Sequence, residues 1–131
     1  MVTLLATVPG TPWLAYTDCR SDTESYVRLW DVTTRTVHRS LAIPGVPRNL
    51  AVSPDGRLLA CSTLQDDRRV YVFETATGTL LQSIAADFAD FAVGSPLAFS
   101  ADSKLLAFEG ENGAHAATGL ARVVKARSGD E

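Results

Sequence analysis

The sequence predicts an all-β fold in which a four-stranded antiparallel unit is used about three times. Three observations lead there: a ten-residue segment recurs at a spacing of 45 to 47 residues, a second segment follows each copy, and the apolar runs are short and bounded by turn residues.

The repeat is plainest between Ala51 to Ala60, AVSPDGRLLA, and Ala98 to Ala107, AFSADSKLLA. They match at Ala, Ser, Asp and the Leu-Leu-Ala triplet with an offset of 47. A weaker copy, LLATVPGTPWLAY from Leu4, lies over NLAVSPDGRLLAC from Asn49 at an offset of 45. The second segment, YVRLWDVTTRTVHRSL from Tyr26, lies over RVYVFETATGTLLQSI from Arg69, and ARVVKARSGDE from Ala121 repeats the pattern. The order is thus the same each time: run, turn, run, loop, run, turn, run.

Turn chemistry separates the runs. Ser53-Pro54-Asp55-Gly56 suits a tight turn. Thr75-Ala76-Thr77-Gly78 closes the second hairpin, and Thr33-Thr34-Arg35 stands in its place without the glycine. The runs are rich in Val, Leu, Ile, Tyr, Phe and Trp and too short for helices. Strands are expected at residues 2–8, 12–18, 25–32 and 36–42, then 48–53, 57–63, 69–74 and 79–84, then 96–100, 104–109 and 121–126, the last unit lacking its fourth strand. Runs such as Val27 to Trp30 and Val70 to Phe73 are apolar on both faces, as sheets stacked face to face require.

These residues carry a family resemblance. Tyr26-Val27-Arg28-Leu29-Trp30-Asp31 resembles the third-strand signature of WD40 repeats, and Ser53 to Ala60 resembles their first turn and second strand. The Gly-His pair of many such repeats is absent, and the Trp-Asp pair becomes Phe73-Glu74 and Val124-Lys125 in the later units. The resemblance implies β-propeller blades, at residues 1–44 and 45–90 with an incomplete third at 91–131. Such propellers usually close with seven blades, so this is an incomplete propeller. Either the chain is a fragment of a larger propeller protein, the favoured reading, or it closes by assembling with copies of itself, most simply as a pair forming a six-bladed ring. Open end faces would leave Leu4, Leu14, Leu106 and Val123 partly exposed, whereas Trp30, in the third-strand place of Phe73 and Val124, is expected between blades.

Composition narrows the partners. Fifteen acidic against twelve basic residues leave a net charge of −3, which gives no bulk drive toward nucleic acid or anionic membrane, and neither is expected as a partner. The start lacks a basic n-region, and no run approaches the ~18 apolar residues of a membrane helix. A cytoplasmic location is expected. Cys19 and Cys61 fall in second strands of consecutive units and are expected as buried free thiols.

No catalytic constellation is legible. Asp55 and Asp102 recur, but in hairpin turns, where aspartate stabilises the backbone. Asp66-Asp67-Arg68-Arg69 reads as a solvated loop, and His38 and His115 as surface histidines without metal-ligand spacing. No nucleophile elbow, phosphate loop or dinucleotide fingerprint is present, and neither cofactor nor metal is expected. Two features could meet other proteins: Arg122, Lys125 and Arg127 form a basic cluster, and Phe88 and Phe91 stand three apart in a connecting segment. Residues 111–119 read as a loop. The resemblance implies a non-catalytic protein-protein interaction scaffold; the alternative is part of a propeller enzyme or small-molecule sensor whose site lies in blades outside this chain.

Overall fold

The computed structural model describes residues 3–64, 69–85, 97–109 and 121–128, all of whose regular elements are β-strands. The first sheet holds β1 (Leu5–Thr7), β2 (Trp13–Cys19), β3 (Ser25–Asp31) and β4 (Thr36–Ile43) in chain order. The second repeats this with β5 (Val46–Val52), β6 (Leu58–Leu64), β7 (Arg69–Glu74) and β8 (Leu80–Ala85). The third has β9 (Leu97–Phe99), β10 (Leu105–Glu109) and β11 (Ala121–Lys125). Neighbouring strands are antiparallel in all three sheets, and β5 approaches β1 on one side and β9 on the other. The chain is all-β, an incomplete propeller of consecutive blades.

Equivalent positions behave alike down to local irregularities. The third and fourth strands slip register between Leu29 and Trp30 in the first blade and between Val72 and Phe73 in the second. Both slips sit beside the closing turn, where an extra residue tightens the twist. Gly78 closes the second blade's turn at φ 76°; in the first, Arg35 adopts φ 58°. A residue with a Cβ pays for that conformation, and the Asp31 carboxylate offsets the cost by accepting from the Thr33 amide at 2.9 Å and the Thr33 hydroxyl at 2.6 Å.

Period-2 alternation gives each blade two apolar faces, and the core is two layers between blades. Ala15, Val27, Leu29, Leu41 and Ile43 of the first blade pack on Leu59, Cys61, Tyr71 and Phe73 of the second. The second blade's other face, Leu58, Ala60, Val70, Val72 and Ile84, packs on Leu106, Phe108, Val124 and Ala126 of the third. Each buried Leu or Val contributes roughly 1.5–3 kcal/mol relative to exposure.

Three sequence expectations change. Trp30 is only half-buried, because its face has no preceding blade against it, while Phe73, one blade on, is 4% exposed beneath the first. Leu106 is fully buried and its neighbour Leu105 is 41% exposed, so the third blade presents the opposite row to solvent. Cys61 is buried, and burial pushes its thiol up to about 12, but Cys19 is half-buried near the end of β2; both are free thiols. Leu14 and Val123 are exposed as expected, at 38% and 48%. Phe88, Phe91, His115 and the Asp66 to Arg68 segment lie outside the described residues.

Candidate functional site

Two first-hairpin turns, one from each of the last two blades, build an open groove. In the second blade the Ser53 hydroxyl donates to the Asp55 carboxylate at 2.6 Å and accepts the Leu58 amide at 2.9 Å, while the same carboxylate oxygen accepts the Arg57 amide at 3.0 Å. In the third, the Ser100 hydroxyl donates to Asp102 at 2.6 Å and accepts the Leu105 amide at 3.0 Å, and Asp102 accepts the Lys104 amide at 3.0 Å. A Ser-x-Asp-x-basic sequence therefore closes the turn identically twice. The hydroxyl of Ser53 holds the Asp55 carboxyl below its ordinary value, and Ser100 does the same to Asp102. Both aspartates are engaged in turn structure.

The basic residue after each turn is carried outward. Arg57 and Lys104 are exposed and line a groove of about 560 Å³ together with Lys125 and Arg127, over Leu58 and Leu105. The C-terminal wall is held from both sides: from the second blade the Gln82 side-chain amide donates to the Lys125 carbonyl at 3.3 Å and also to that of Ala126, and within the third blade the Ala126 amide donates to the Lys104 carbonyl at 2.8 Å. Arg127 reaches Glu74 at 3.4 Å. The groove therefore offers Arg57, Lys104 and Lys125, with Arg127 beside them already engaged by Glu74, while its two carboxylates are occupied by their own turns.

Of the basic cluster expected from sequence, Lys125 and Arg127 meet at this groove; the side chain of Arg122 lies outside the described residues. Arg57 and Lys104 were missed as candidates. Their signal was the recurrence of a basic residue two places after Asp55 and Asp102 at the repeat offset of 47. His38 is exposed and stacks on Trp13 with ring centroids 4.4 Å apart. Among the described residues, no three His, Cys, Asp or Glu side chains come together as metal ligands.

No protein-family model and no curated protein matches the chain. Solved structures do, and they include propeller-like folds. Hydrazine synthase of Kuenenia stuttgartiensis aligns with 81% of this chain at 18% identity and a TM-score of 0.63. The complex of KlAtg21 with the coiled-coil of AgAtg16 aligns with 95% at 20% identity and a TM-score of 0.57, and a putative 6-phosphogluconolactonase from Bacteroides uniformis with 97% at 19% and 0.56. Identity at this level establishes the fold alone. The chain spans 30%, 39% and 41% of the lengths of these three structures.

Proposed function

We propose that this chain is part of a non-catalytic, WD40-like protein-interaction scaffold that acts in the cytoplasm and holds an acidic peptide segment in the groove between its second and third blades. The observation carrying this reading is the convergence of Arg57, Lys104, Lys125 and Arg127 around Leu58 and Leu105. Exposed charges of this kind add modestly to affinity and more to steering and register, while the 41% exposed Leu105 gives an apolar contact beside them. The similar KlAtg21 structure, a complex with a coiled-coil, supports a protein partner. Two similar structures carry enzyme names, which supports the second reading, a portion of an enzyme or small-molecule sensor whose site lies in other blades.

Fluorescence anisotropy with a labelled Glu-rich peptide and a Gln-rich control tests the scaffold reading. Preferential binding of the acidic peptide, weakened by salt and by Arg57→Glu with Lys104→Glu, is the expected result. Equal binding of both peptides, or acidic-peptide binding indifferent to those substitutions, overturns it.

A further inference from the structure

One position recurs in all three blades with a different side chain in each. Asp31 stands opposite Trp13, Glu74 opposite Leu58 and Lys125 opposite Leu105, and those three partners are spaced by the repeat offsets of 45 and 47 residues. The position ends the third strand and begins the closing turn, so its side chain can serve its own turn or the next blade. Asp31 serves its own: one carboxylate oxygen accepts the Thr33 amide and hydroxyl at 2.9 and 2.6 Å and the Thr34 amide at 3.3 Å.

Glu74 is one methylene longer and divides its two oxygens. Oε1 accepts the Thr77 hydroxyl at 3.0 Å within its own turn, while Oε2 reaches across the junction to the Arg127 guanidinium at 3.4 Å. Thr77 is fixed in turn from the first blade, since its carbonyl accepts from Arg39 at 2.8 Å. The carboxylate is thus anchored, whereas the Arg127 side chain is 55% exposed. Among the described residues, Arg127 is the one cation of the groove held in an ion pair, and its contact is longer than the ~2.7–2.9 Å of a well-formed charged hydrogen bond. In the third blade the series reverses its charge, and Lys125 lines the groove itself.

We propose that Arg127 is an exchangeable subsite of the groove, which Glu74 occupies in the place of a partner's carboxylate. An arriving acidic segment takes Arg127 over with a glutamate or aspartate of its own and leaves Glu74 to Thr77 and water. This exchange rests on the acidic-peptide reading of the groove and adds to it a residue that sets selectivity. A segment with no carboxylate at Arg127 breaks the internal pair without replacing it, so Glu74 discriminates against weakly charged partners.

Anisotropy titrations of the labelled Glu-rich peptide against the parent chain, Glu74→Gln, Arg127→Gln and the double variant test this. Glutamine at 74 keeps an acceptor for the Thr77 hydroxyl and removes the charge that holds Arg127; circular dichroism verifies that the variants fold. Glu74→Gln tightens binding by about two- to fivefold, the range of an exposed ion pair, and Arg127→Gln weakens it. In the Arg127→Gln background Glu74→Gln changes nothing, since no pair is left to release. Parent-like affinity of either single variant overturns the exchange. So does tightening by Glu74→Gln that persists without Arg127, which would make Glu74 one more charge in the general field. In those cases the parent's preference for the Glu-rich over the Gln-rich peptide still supports the groove as an acidic-peptide site. A parent chain without that preference overturns the groove reading itself, and the exchange with it.

Discussion

Ser103 of the third blade accepts, through its hydroxyl oxygen, the amide hydrogen of Asp55 in the second blade at 3.1 Å. Gly56 holds the equivalent place one blade earlier, and a Cβ there would lie 2.0 Å from the Pro9 carbonyl oxygen of the first. Gly56 and Ser103 both adopt left-handed conformations, with φ 74° and 65°. The third position after each turn serine is thus where a blade touches its predecessor, by bare backbone at one junction and by a hydroxyl at the next.

Gly56→Ala is expected to destabilise the chain by about 2 kcal/mol or more, since strain and a backbone clash act together. The check is a lower urea midpoint at an unchanged slope. An unchanged midpoint would mean that the Pro9 turn is not seated there.

Ser103→Ala should cost about 1 kcal/mol through the lost hydrogen bond, whereas Ser103→Gly should be milder, because glycine relieves the positive φ. Paired denaturation curves distinguish the two. Equal losses would indicate that backbone strain contributes nothing at this turn.

Phe73→Ala is expected to cost about 3–5 kcal/mol, as for a fully enclosed aromatic side chain, and Trp30→Ala distinctly less in the unassociated chain. Dilute samples are therefore the right comparison. Trp30→Ala as damaging as Phe73→Ala at low concentration would show that something covers the first blade's outer face.

Asp55 and Asp102 both titrate below the ordinary carboxyl value of 3.8, each chiefly because a serine hydroxyl donates to it. Each carboxyl binds its proton less readily when folded, so the unfolded chain holds more protons through that window. Stability from these turns is complete above 3.8 and falls as pH drops through the folded values. Asp102→Asn should flatten the acid limb of a stability profile and leave its neutral limb level; an identical acid slope would refute this contribution.

Thiol accessibility gives a further measurement. Cys19 is half-buried and Cys61 is enclosed with its thiol pushed up to about 12, so a thiol reagent at pH 8 should modify one group in the native chain and two in urea. Native modification of both would mean that the first junction opens readily.

The strands were legible from sequence because turn residues bracket every run: β3 and β7 fall within a residue of expectation, and even the short β9 was anticipated. Which side of a strand faces inward was less legible. Leu105 and Leu106 are both apolar, so alternation gives no sign of which one points at the neighbouring blade, and pairing with Lys125 and Val124 decides it. The groove was half legible. Lys125 and Arg127 are close in sequence, but Arg57 and Lys104 are brought to them only by stacking of the blades.

The junctions have a direction in time as well as in space. Arg39 on β4 donates to the Thr77 and Ala76 carbonyls of the second blade at 2.8 and 3.0 Å, and Gln82, 43 residues later on β8, grips the third blade's wall in the same manner. In both cases the clasp is synthesised before the turn it holds. A chain emerging from the ribosome can therefore dock each blade onto one already made, with no need to wait for residues more than one repeat ahead.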